Sequence, residues 1–286
     1  MTMRNSIALK NIFWIWLLLG MAACTPAVAV EPQPTATPTT ALSRLPTHTP
    51  TPQPSPTPTD TLTPTPAAPE VCSPLEGVAL ADLAEIVVNP YAPPPMGSDQ
   101  PHQGIDLAQL DPATRIALKG LPVHAVMAGD VVMVLNDRFP YGNAVLIKVP
   151  LESVPAGWLE GLALPEPIPT LSAPPALTCP QPETLPDWDN SRRAYYILYA
   201  HLQEPPTVQV GEAINCGQGL GTIGDSGNAL NPHLHVEIRV GPADAALGNM
   251  AHYDNSATPA EMTAYCQWRV SGWFQPIDPL RLLENR

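Results

Sequence analysis

The sequence predicts an all-β domain behind a long extension, and three observations support that expectation. β-branched and aromatic residues gather in short, partly alternating runs, Val123 to Leu135, Ala144 to Val149 and Tyr195 to Tyr199, with Gly129 and Gly142 at turns. Two fragments place polar residues at every second position, His102-Gln-Gly-Ile-Asp106 and His233-Leu-His-Val-Glu237, which is the period of a strand. The helical counterpart of such a pattern, His-Glu-x-x-His, is absent.

Composition divides the 286 residues unevenly. Met1 to Lys10 carries Arg4 and Lys10, Ile12 to Ala23 is apolar but short for a membrane span, and Met21-Ala-Ala-Cys24 resembles the lipobox of bacterial lipoproteins, with Met where leucine is usual. Residues 1–24 therefore read as a signal peptide, with Cys24 becoming the lipidated amino terminus and the membrane anchor. An uncleaved anchor, or nearby cleavage without lipid, fits the same residues, and either alternative also exports the domain. Residues 25–70 are Thr, Pro, Ala and Ser with almost no aromatics, too apolar-poor to offset the entropy of ordering. They read as a disordered tether that reaches roughly 140 Å when fully extended as polyproline II.

The domain expected over residues 71–286 opens at Cys72, followed by Cys179, Cys216 and Cys266. An even count in an exported domain implies two disulfides, and no C-x-x-C pair supports a metal reading instead. Of three possible pairings, the expected one is Cys179 with Cys216 and Cys72 with Cys266. A short helix is expected near Leu80 to Ile86, then a proline-stiffened approach over Asn89 to Gly97. Strands follow in the runs named above, with further ones at Val208 to Gly211 and Leu220 to Ile223 leading into a glycine loop and His233. Trp268, Trp273 and Phe274 are expected to complete the core.

The first 70 residues hold three bases and three acids, so the net charge of −13 belongs to the domain. Nucleic acid is excluded as a partner by that balance, and anionic polymers would not be drawn to this surface.

On a strand, His233, His235 and Glu237 share one face while Leu234, Val236 and Ile238 share the other; His102, Gly104 and Asp106 likewise oppose Ile105 and Leu107. Gly104 between two polar residues leaves room for an ion. Tyr199-Ala-His-Leu202 adds His201 at the end of an apolar run. Two imidazoles and one carboxylate, with a fourth position left to water, suit catalytic zinc. Two histidines then remain for proton transfer and oxyanion stabilisation.

H-x-G-x-D, then Y-x-H-L, then G-x-x-G-x-S-G ahead of P-H-L-H-x-E, in this order, resembles the lysostaphin-like (LytM-domain) zinc metalloendopeptidases. The similarity runs from about Asn89 to Leu280. It implies an antiparallel β-sheet or sandwich with an active-site groove, one Zn2+ per chain on His102, Asp106 and His235, and His201 with His233 as the catalytic pair. It also implies cleavage of peptide bonds in bacterial peptidoglycan, by a monomer anchored outside the cytoplasm and facing the cell wall. Against the family pattern, residues 150–193 and 241–272 read as insertions. The first is expected either to wall the groove or to be a surface excursion. Three positions depart from the pattern, Ala229, Asn231 and Val149, and Asn231 is expected to keep a left-handed turn that glycine would supply. Glu237 either orients a ligand from behind or makes an ordinary surface pair. His48, His124 and His252 read as structural. A non-catalytic wall-binding or regulatory module that activates another hydrolase is the rival reading, and an exported peptidase acting on secreted proteins is a third.

Overall fold

The structure is a computed structural model and describes residues 69–95, 97–160, 179–180, 186–189 and 191–284. All of them fall in the unit Thr63–Arg286. The expected signal peptide with Cys24, the expected tether up to residue 68, and most of the first expected insertion lie outside the described residues.

A 3-10 helix, Leu80–Ile86, stands where the sequence predicts a short helix, and buries Leu80 and Leu83. The strands are β1 (Val87–Asn89), β2 (Ile105–Leu107), β3 (Pro122–His124), β4 (Gly129–Arg138), β5 (Gly142–Pro150), β6 (Arg193–Leu202), β7 (Ala213–Ile214), β8 (Gly219–Thr222), β9 (Leu234–Pro242) and β10 (Gln275–Ile277). A second 3-10 helix, Leu151–Ser153, and three α-helices, α1 (Ala156–Leu159), α2 (Pro259–Arg269) and α3 (Pro279–Glu284), complete the described elements. The main sheet has the order β1-β2-β9-β6-β5-β4-β7, with β10 also on β9, and β3 pairs with β8 in a small second sheet. Every pairing is antiparallel. The fold is thus all-β and antiparallel, as the sequence predicts.

Alternation divides the sheet's side chains into two cores. Val145, Ile147, Val149, Tyr195, Ile197, Tyr199, Val236 and Ile238 face one core together with the small sheet and α3. Ala144, Leu146, Tyr196 and Leu198 face the other, where α2 and its flank supply Tyr265, Trp268 and Phe274. Trp268 and Phe274 are buried and complete a core as expected, while Trp273 lies at its edge. The second insertion therefore covers the sheet face that would otherwise meet water. Its helix begins with a capping box, in which Thr258 and Glu261 each accept from the other's backbone amide, and Pro259 occupies the first turn.

The run Val123 to Leu135 holds two strands: the chain bends at Ala125 to Ala128, where Val126 donates to the Tyr199 hydroxyl and accepts from the Cys72 amide, so β3 and β4 enter different sheets. Two expectations are corrected. Val208 to Gly211 is a turn rather than a strand, with Gly211 at φ +88° and the strand displaced to β7. The disulfides join Cys72 to Cys216 and Cys179 to Cys266. The bend that seats Cys72 on Val126 also receives Gly217 through Ala125, which brings Cys216 to Cys72. Cys179 instead reaches α2 across the second core.

Candidate metal centre

β2 and β9 bring the first two fragments together, with Asp106 directly opposite His235. Gly104 makes this approach possible. A Cβ there would lie 2.4 Å from the Val236 carbonyl oxygen and 2.8 Å from the His235 ring. The missing side chain thus admits the neighbouring strand and a ligand's ring rather than an ion.

His102 Nε2, Asp106 Oδ1 and His235 Nδ1 form a triangle with sides of 3.0, 2.8 and 3.1 Å. The opposite atom of each group is anchored elsewhere. His102 Nδ1 donates to the Pro90 carbonyl at 3.0 Å, Asn89 Nδ2 donates to Asp106 Oδ2 at 2.9 Å, and His235 Nε2 donates to Glu237 Oε1 at 3.1 Å. In neutral imidazoles with these tautomers, two ring lone pairs and a carboxylate oxygen point at one spot. Three acceptors so placed repel one another unless a cation sits between them, and two nitrogens with one oxygen suit zinc. The donor set therefore fits the expected ion.

Electrostatics agree. Burial alone would raise the Asp106 pKa, but its close contacts with the His102 and His235 imidazoles hold the carboxyl well below its usual range. At His235 burial opposes charge, yet the carboxylates of Asp106 and Glu237 outweigh it and push the imidazole up to about 9. The site favours positive charge at this ring, which a proton or a metal ion can supply.

His201 and His233 stand beside the triangle, with ring centroids 4.7 Å apart and His201 5.7 Å from His235. His201 owes its place to a bulge. Between the pairs Val145↔Tyr199 and Asn143↔Leu202, β6 carries one more residue than β5, and His201 takes φ +62°. Strict alternation would set His201 on the face opposite Ala200; the bulge turns it into the groove instead. Its Nδ1 donates to the Ser226 carbonyl at 2.8 Å, and His233 Nδ1 donates to the Asn231 carbonyl at 2.8 Å. Burial, with the imidazoles of His235 and His233 nearby, holds the His201 pKa down at about 3. Ser226 is fixed in turn by the approach of its loop to Gly142, where a Cβ would meet Ser226 and Gly227 within 2.6 Å.

Glu237 is fully buried, so the surface-pair alternative falls away. It accepts from His235, Tyr141, Arg239 and Trp268 at 2.7 to 3.1 Å, and from Arg269. Burial would raise its pKa, but Arg239 and Arg269 hold it well below the usual range. Asn89, Tyr141, Arg239 and Arg269 had no place in the sequence reading of the site. For Arg239 a signal existed, since the two-residue period of His233, His235 and Glu237 simply continues to it; Arg269 comes from α2, and no local pattern points to it.

His124 lies on β3, and His252 is buried against Tyr253 and Tyr265; neither joins the site. Asn231 does not adopt positive φ, so the expected left-handed turn is absent there. The groove over the triangle has a volume of about 870 Å3. Its lining takes Tyr253, Tyr265 and Arg269 from the second insertion and none of the described residues of the first.

The all-β groove thus joins a three-point donor set that could hold a metal ion to two adjacent imidazoles. Residues 189–248, which include His201, His233 and His235, match the family model described as peptidase family M23. Among solved structures, the catalytic domain of the antimicrobial peptidase lysostaphin from Staphylococcus simulans is 18% identical, with 72% of this chain and 98% of that one covered and a TM-score of 0.38. The catalytic domain of a variant of the prophage-encoded M23 protein EnpA from Enterococcus faecalis is 20% identical over 63% of this chain and 91% of that one, at a TM-score of 0.33. A zinc containing peptidase from Vibrio cholerae is 20% identical over 53% of this chain and 32% of that one, at 0.29.

Proposed function

We propose that this chain is a zinc-dependent endopeptidase that hydrolyses peptide bonds of bacterial peptidoglycan, in a stem peptide or a cross-bridge. The observation that carries the reading is the triangle of His102 Nε2, Asp106 Oδ1 and His235 Nδ1, each anchored from behind, beside two further imidazoles in one groove. Zinc held by those three atoms supplies a Lewis acid for the scissile carbonyl and lowers the pKa of water.

The remaining steps belong to His201 and His233. Both Nδ1 atoms are committed to main-chain carbonyls, so each ring exchanges its proton at Nε2. One takes the proton from the attacking water, and the other donates a hydrogen bond to the developing oxyanion. The domain acts as a monomer outside the cytoplasm, held to a membrane through lipid on Cys24. Two disulfides suit that compartment. A regulatory module would not need a complete residue set, and all five residues are in place here.

The test is zinc content by elemental analysis of the purified domain beside a muropeptide digest with and without His233→Ala. About one zinc per chain, with new peptide termini only from the unsubstituted protein, is the expected result. Zinc without cleavage would turn the reading to a regulatory module, and absence of zinc would overturn the metal argument.

A further inference from the structure

The groove has an apolar rim and a cationic wall. Of six large hydrophobic residues exposed among the described residues, four line it: Val88, Ile116, Leu230 and Tyr253, with Leu230 97% and Ile116 66% exposed. That concentration marks a surface meant to be covered. Beside Ile116 stands Arg115, also lining the groove.

Asp106 is the sole acid in that lining, and its oxygens are taken by His102, His235 and Asn89. The two arginines there differ. Arg269 is engaged inside the protein, its terminal nitrogens donating to Glu237, Tyr141 and the Asp99 carbonyl. The Arg115 guanidinium is exposed, and among the described residues no carboxylate pairs with it, in a chain of net charge −13. Its turn is built. Asp111 Oδ1 accepts from the Ala113 and Thr114 amides at 3.1 and 2.7 Å, the Arg115 amide donates to the Asp111 carbonyl at 2.8 Å, and the Asp111 amide donates to the Ile116 carbonyl at 2.9 Å. Within this turn Arg115 takes φ +60°, a left-handed conformation that non-glycine residues keep only where the surroundings enforce it.

We propose that Arg115 makes the groove select peptides that carry a free carboxylate, with an aliphatic side chain of the same peptide lodged against Ile116 and Leu230. The inference rests on the reading of the groove as a peptide-binding cleft and names the class of peptide. A guanidinium without an internal partner pairs with a carboxylate from the ligand, whereas the corresponding carboxamide offers no charge.

The experiment uses two synthetic stem-type peptides, identical except that one bears a side-chain carboxylate and the other its carboxamide. Each is titrated into the zinc-loaded protein by calorimetry and separately assayed for cleavage. The carboxylate peptide is expected to bind about fivefold more tightly. Arg115→Gln should remove that preference without altering zinc content, and Arg115→Lys should restore part of it. Equal binding of the two peptides, or a preference that survives in Arg115→Gln, would overturn the proposal. A preference in binding with no cleavage of either peptide would keep the carboxylate selectivity and count against the endopeptidase reading alone.

Discussion

Glu237 and His235 lie two residues apart on β9 and meet at 3.1 Å, carboxylate to imidazole Nε2, so the inward nitrogen of His235 is free for a metal. The same fully buried carboxylate pairs with Arg239, also fully buried, and with Arg269, which reaches it from the groove lining. Glu237→Gln should therefore act twice. Zinc affinity should fall about 10- to 100-fold in a chelator competition, and stability should drop by about 3 to 5 kcal/mol in denaturant unfolding, because the buried Arg239 guanidinium loses its counter-charge. Unchanged values for both would remove Glu237 from the site's support.

The four site histidines and Asp106 separate into two groups by what each substitution should remove. His102→Ala, Asp106→Ala and His235→Ala are expected to lose bound zinc. His201→Ala and His233→Ala are expected to retain about one zinc per chain while turnover falls by about 100-fold or more. Elemental analysis alongside peptide cleavage reads both quantities; loss of zinc from His201→Ala would move that residue into the ligand set.

Gly104→Ala places a methyl group 2.4 Å from the Val236 carbonyl oxygen, where main chain cannot give way as a flexible side chain would. The β2–β9 pairing must open, at a cost of about 1 to 3 kcal/mol, and Asp106 moves away from His235. Thermal unfolding and zinc content should fall together, and a fully stable variant without zinc, or one with zinc at lower stability, would separate the two effects.

All seven tyrosines have pKa values pushed up, chiefly by burial, with Tyr195 at about 12. A phenol whose folded-state value exceeds its unfolded value near 10 favours the folded state fully below pH 10, and that contribution is lost as pH rises through the folded value. Stability should therefore decline from about pH 10 upward. Phenolate absorbance should rise together with loss of circular dichroism; ionisation of most tyrosines in a protein still folded would contradict the burial argument.

The candidate site was legible in the sequence because its residues sit in short fragments with strand period. Asp106 and His235 each carry their chemistry next to the apolar residues that fix their strands. What the sequence concealed depends on distance along the chain. Cys72 meets Cys216 across 144 residues and Cys179 meets Cys266 across 87, and no local pattern distinguishes these pairings from the expected ones. Arg269 reaches Glu237 from a helix within the second expected insertion, and its partner lies on a sheet strand 32 residues away. His201 seemed a simple strand end, whereas one extra residue in β6 decides which way it points. Val208 to Gly211 had the composition of a strand, but turn geometry at Gly211 prevailed.

Three of the four site histidines are steered by main-chain oxygens: His102 by Pro90, His201 by Ser226 and His233 by Asn231. Every amino acid brings the same carbonyl, so replacements at Pro90 or Asn231 that leave the chain path alone would keep the ring tautomers unchanged. Such a design tolerates drift in the loops around the groove. Side chains lining the groove can change while the imidazoles beneath go on reading the same backbone.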